Sequence, residues 1–77
     1  LLRRLRAMDA RSRSGPWTAR LLELIAANPG VRAADLAPLF GEEKKPFKAR
    51  VRRLKELGLT ESLRVGYRLS SRGRALL

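Results

Sequence analysis

The stretch KKPFKARVRRLKELG, Lys44 to Gly58, decides how this chain is read. Between Lys44 and Lys55 it holds seven cations and no acid. Phe47, Val51, Leu54 and Leu57 run through it at intervals of three or four, which places them on one stripe of an α-helix. Lys45, Lys48, Ala49, Arg52, Arg53 and Glu56 take the opposite face. Arg50 and Lys55 fall on the flanks, and Lys44 lies just before the helix. One side must dock against the rest of the chain while the other is almost wholly cationic. Ordinary solvated faces mix signs and place acid–base pairs four residues apart. Within this helix Glu56 is the sole acid, and Arg52–Glu56 the sole such pair. An anionic partner relieves repulsion of this kind, so the expectation is an anion-binding face. A helix about 10–12 Å across also fits the DNA major groove, which is about 12 Å wide. Ala49 either permits close approach or simply favours the helix.

The surrounding chain supports a single small domain. It has 77 residues, 44% hydrophobic and 32% charged, with 18 basic and 7 acidic residues and a net charge of +11. Small domains stay soluble with a net charge of about 2–8, so the excess points to a polyanion. Cysteine and histidine are both absent. This excludes disulfides, zinc fingers, a Cys or His nucleophile and a His general base. The longest clean apolar run, Leu24–Ala27, is far too short for a membrane span. No signal peptide appears, because Arg3, Arg4 and Arg6 interrupt the N-terminus. The chain begins at Leu1 rather than Met, which reads as a piece of something longer.

Punctuation residues divide the rest. Leu1, Leu2, Leu5 and Met8 predict a short amphipathic helix, and Arg11–Gly15 a flexible linker, so that residues 1–14 precede a domain over 15–77. Gly15-Pro16 opens a helix through Asn28, with proline tolerated at its first position. Its apolar face is Trp17, Leu21, Leu24, Ile25 and Asn28, and Asn28-Pro29-Gly30 stops it. A second, shorter helix follows Val31, with Leu36, Leu39 and Phe40 inward and Pro38 near its first turn, and it ends at Gly41. Glu42 and Glu43 lead into the cationic helix, the third of this domain, over about 45–57. Pro46 stands where that helix should open, and Gly58 closes it. Leu59–Leu63 and Gly66–Ser70 predict a hairpin around Arg64-Val65-Gly66. Ser70 or Ser71 caps a last helix. The fold class is mainly α with a small β-hairpin.

Residues 16–77 resemble a winged helix-turn-helix domain of the kind found in bacterial regulators of the MarR and ArsR type. The matching pieces are AADLAPLFG, LKELGLTES and GYRLSSRGRALL. The resemblance implies that the third helix enters the major groove and that the hairpin, or wing, touches the neighbouring backbone. Carried over by position, Lys45, Lys48, Ala49, Arg52 and Arg53 become the groove-facing set, joined by Lys44. Arg64 and Arg68 become wing contacts. The chain departs from the pattern at Glu42, where an apolar residue is usual, at Pro38, and in the shortness of the wing. GPWTARLLELIAANPGVRAADLA with PFKARVRRLKELGLTES is also similar to the C-terminal region of bacterial proteins that carry an ASCH domain. That likeness implies RNA as the alternative partner, with residues 1–14 as the linker from a missing N-terminal domain.

Enzyme readings fail on the residues. Glu42 and Glu43 are adjacent, so they do not face each other on a helix, and capping or dipole compensation explains them. Asp35 has only Arg32 near it, a surface pair. Ser12, Ser14, Ser62, Ser70 and Ser71 have no base to activate them. No glycine-rich phosphate loop is present, so no cofactor and no metal are expected. Trp17, Tyr67, Phe40 and Phe47 read as packing aromatics rather than base-stacking platforms. The expectation is a non-catalytic, cytoplasmic, transcription-related domain that binds duplex DNA and no membrane. A protein-docking winged helix is a further alternative, and a homodimer through Leu1–Met8 or Leu76-Leu77 is left open.

Overall fold

A computed structural model describes residues 1–13 and 15–77. The elements are α1 (Leu2–Arg11), α2 (Thr18–Ala27), α3 (Ala33–Phe40), α4 (Lys44–Glu56), β1 (Thr60–Ser62), β2 (Tyr67–Leu69) and α5 (Ser71–Ala75). The mainly helical class with one small hairpin is therefore as expected. Among the described residues no helix is long and apolar enough to cross a membrane.

The core forms around the apolar stripe of α4. Phe47, Val51 and Leu54 are buried, and Leu57 is half-buried against them. Phe47 meets Phe40 of α3 edge-on, with ring centroids 5.9 Å apart. Leu21, Leu22 and Ile25 of α2, with Trp17 just before it, join the same core, and so do Leu59 and Leu69 at the base of the hairpin. Each such side chain, fully buried, contributes about 1.5–3 kcal/mol, which matters in a domain of this size.

Two close contacts fix the hairpin. β1 and β2 pair antiparallel with Thr60 opposite Leu69 and Ser62 opposite Tyr67, and the Leu63 N–H donates to the Gly66 carbonyl at 2.9 Å. Gly66 has φ +78°, and a Cβ there would lie 2.4 Å from the Gly30 carbonyl carbon. The tip therefore rests directly on the turn between α2 and α3. The Gly30 N–H completes this join by donating to the Tyr67 carbonyl at 3.0 Å. At the other end Gly58, with φ +75°, turns α4 into β1. The Leu59 N–H donates to Leu54 and the Gly58 N–H to Lys55, which satisfies two of the helix's last carbonyls. Ser70 then caps α5, its hydroxyl accepting from the Gly73 N–H at 3.0 Å.

Several expectations need correction. Leu39 does not face inward and is 66% exposed. The seam of α3 is Ala33, Leu36, Ala37 and Phe40, and at 100° per residue Leu39 stands about 110° from its centre. Pro38 lies inside α3 rather than in its first turn. The carbonyl it leaves without a helical donor belongs to Ala34, an exposed residue whose carbonyl water can reach. α2 starts at Thr18 rather than at Pro16, and Trp17 is its N-cap residue. Leu24 and Asn28 are only half-buried, while Thr18 and Leu22 are buried in their place. Ile25 and Leu21 still centre the seam.

The late start of α2 has a cause in α1. Asp9 reaches across and accepts from the Trp17 N–H at 2.8 Å, the Thr18 N–H at 3.0 Å and the Thr18 hydroxyl at 2.8 Å. A carboxylate from another helix thus caps α2. Leu5 of α1 is buried in the common core and Met8 packs against it, whereas Leu1 and Leu2 are exposed. α1 continues to Arg11, into the segment expected to be linker; the part of that expectation that falls on Ser14 lies outside the described residues.

Candidate nucleic-acid interface

α4 shows on its surface what its sequence pattern implies. With its apolar stripe turned inward, Lys44, Lys45, Lys48, Ala49, Arg52, Arg53, Lys55 and Glu56 are all exposed. Among the described residues none of these cations is in an ion pair, and the Arg52–Glu56 pairing suggested by spacing is not formed; the ion pairs are Arg32–Asp35, Arg50–Glu42 and Arg68–Glu61. Lys44 and Lys45 occupy the first turn of α4, where the helix dipole already carries partial positive charge. Their repulsion is stored at an end open to an anion.

Arg50 is the exception on this helix. Its Nε donates to both carboxylate oxygens of Glu42, at 3.0 and 2.9 Å. Its guanidinium lies 4.8 Å from the centroid of the Trp17 ring and 6.0 Å from that of Phe40. Arg20 approaches Phe40 at 4.5 Å and donates to its carbonyl at 3.3 Å. Both arginines thus pack on aromatic rings, and the stacked geometry is one that lysine does not reproduce. Glu42, the departure from the helix-turn-helix pattern, is the partner that makes this arrangement neutral. It compensates Arg50 rather than the helix dipole, and Glu43 is the N-cap residue without a side-chain capping bond.

The hairpin lies along one flank of α4. An open cleft of about 330 Å³ between them is lined by Arg32, Lys44, Lys48, Arg64 and Tyr67 among others. A second cleft, of about 200 Å³, continues past Lys48 and Arg52 to Lys55, with Ser62 and Tyr67 on its far wall. Burial pushes the Tyr67 phenol above its ordinary value. Arg64 at the tip is exposed. Arg68 is also exposed but pairs with Glu61 across the strands at 3.5 Å, so part of its charge is already balanced. Arg32 is likewise shared with Asp35 at 3.6 Å.

α1 lies along the other flank, which the sequence pattern alone did not reveal. One cleft of about 340 Å³ is lined by Arg11, Arg13, Ala49, Arg50 and Arg53. Another, of about 380 Å³, is lined by Arg4, Met8, Arg11, Arg53 and Glu56. Positions 4, 8 and 11 share one face of a helix, and this spacing was the available signal. What spacing could not supply was which face would meet α4.

Among the described residues no group of three or more acidic side chains converges as a metal site would require. Comparison with protein-family models, with curated proteins and with solved structures yields no match.

Proposed function

We propose that this chain is a winged helix-turn-helix domain that binds duplex DNA without catalysis, in a cytoplasmic, transcription-related role. α4 is the groove-facing helix and the β1–β2 hairpin is the wing. The observation that carries the reading is the outward face of α4, where Lys45, Lys48, Arg52 and Arg53 stand exposed and without ion-pair partners among the described residues. Contacts from these cations to phosphates supply most of the affinity, and side chains reaching base edges supply any sequence preference. The join of the hairpin tip to the α2–α3 turn through Gly30 and Gly66 supports the wing, because it holds Arg64 beside Lys44 and Lys48.

The test is the salt dependence of binding to a labelled duplex. With about five phosphates contacted, log K falls against log[salt] with a slope of roughly −4.5. A slope near zero contradicts the reading. Competition by structured RNA at matched salt separates the two polyanions, and RNA that displaces the duplex efficiently moves the assignment to an RNA-binding accessory domain. A chain that binds neither, and elutes as a tight dimer or with a protein, belongs to the protein-docking class.

A further inference from the structure

We propose that Arg4 and Arg11 of α1, with Arg13 just beyond it, form a second phosphate-binding strip, on the opposite side of α4 from the hairpin, so that the domain grips both backbones of the groove that α4 enters. The inference rests on the reading of α4 as the duplex-facing helix and goes beyond it, since the winged-helix resemblance begins only at residue 16.

Three observations carry it. First, the strip is contiguous with the outward face of α4. Arg53, exposed on that face, also lines both α1-side clefts, with Arg11 and Arg13 in one and Arg4 and Arg11 in the other. Second, the charge there is uncompensated. Arg4, Arg11 and Arg13 are exposed and form no ion pair among the described residues. Asp9, the sole acid of α1, turns away to cap α2, and Arg50 is already held by Glu42. Glu56 is the remaining carboxylate in these clefts, against Arg4, Arg11 and Arg53. Third, α1 is a fixed wall. Leu5 sits in the core, and Asp9 ties the C-terminal half of α1 to the start of α2.

Duplex geometry then gives the strip its role. A groove about 12 Å wide that holds a helix of about 10–12 Å leaves a phosphate backbone along each side of that helix. The hairpin flank faces one backbone with Lys44, Lys48 and Arg64. The α1 flank faces the other with Arg4, Arg11 and Arg13. Arginine suits this second position because its planar fork meets two phosphate oxygens at once.

The experiment is a salt titration with a labelled duplex, run in parallel on the unaltered chain, on Arg4→Gln/Arg11→Gln/Arg13→Gln, on the same triple to lysine, and on Lys48→Gln/Arg52→Gln/Arg64→Gln. Circular dichroism and thermal melting accompany each variant. Loss of three contacts lowers the magnitude of the slope by roughly 2–3. The expected result is that drop in the α1 glutamine triple, with melting unchanged, and recovery of the slope in the lysine triple. An α1 glutamine triple that keeps the full slope, while the α4–hairpin variant loses its share, overturns the strip and leaves the duplex-binding reading standing. A lysine triple as weak as the glutamine one means that charge is not the contribution, which also overturns the strip. An unaltered chain with a slope near zero removes both.

Discussion

The two flanks of α4 carry the same sign of charge but are built from different cations and secured by different devices. On the hairpin side lysines and arginines are mixed, with Lys44, Lys48 and Lys55 beside Arg32, Arg52 and Arg64. That wall is held by backbone: a glycine pressed on a neighbouring turn and an N–H of that turn paired with Tyr67. On the α1 side every cation is an arginine, and the wall is held by one carboxylate and one buried leucine. The difference teaches that a cationic helix face does not define an interface by itself. On the duplex-binding reading proposed above, what lies beside it, and how firmly it is held, sets how many phosphates are met together.

The hairpin flank breaks most sharply at Gly66. Gly66→Ala places a Cβ against the Gly30 backbone at a φ that L-residues avoid, so neither relaxation nor rotation relieves it. Strain and overpacking together give a loss of about 3 kcal/mol, read by urea denaturation. An alanine variant as stable as the parent shows that the tip does not rest on the α2–α3 turn.

The α1 flank is tied by side chains rather than backbone, and Asp9 is the place to test it. Burial alone would raise the Asp9 carboxyl, but the hydrogen bonds from the Trp17 N–H, the Thr18 N–H and the Thr18 hydroxyl outweigh it and hold the group below its ordinary value of 3.8. A carboxylate depressed by folding stabilises the native state above its unfolded pKa, and that contribution fades as pH falls through the lower folded value. Asp9→Ala therefore costs about 1–2 kcal/mol near neutral pH, as loss of a helix cap does. The cost shrinks toward zero as acid protonates the parent. Equal destabilisation at pH 7 and well below pH 3.8 contradicts the capping role.

Arg50 and Arg68 sharpen the contrast between packed and available cations. Arg50→Lys gives up the stacking on Trp17 and part of the bond to Glu42, a loss of about 1 kcal/mol in thermal stability. Its effect on the salt slope of duplex binding is small, because Arg50 already has its partner. Arg68→Ala changes stability by less than about 0.5 kcal/mol, since an exposed pair contributes little. A large fall in affinity from that substitution shows that Arg68 leaves Glu61 on binding.

Much of this arrangement was legible in the chain because its elements end on strong local signals. Asn28-Pro29-Gly30, Gly41, Gly58 and Ser70 each mark a boundary that the structure keeps. The stripe of α4 is equally local, four apolar residues at helical spacing. The unread parts are non-local. The cap of α2 comes from Asp9, eight residues before Trp17 in sequence, and only folding reveals it. Glu42 read as dipole compensation because its partner, Arg50, is eight residues away. Leu39 misled because α3 is eight residues long, too short for one apolar residue off the seam to stand out. Arg4 read as part of an amphipathic helix and Arg11 as linker, and their neighbour across the cleft is Arg53, more than forty residues away in sequence.

The central claim is that the outward face of α4 binds polynucleotide and does nothing for the fold. Arg52→Ala/Arg53→Ala, followed by duplex titration and thermal melting on the same samples, tests it most directly. The account predicts weaker binding, a salt slope smaller in magnitude by roughly 1.8, and stability within about 0.5 kcal/mol of the parent. Unchanged binding, or a variant that unfolds, contradicts it.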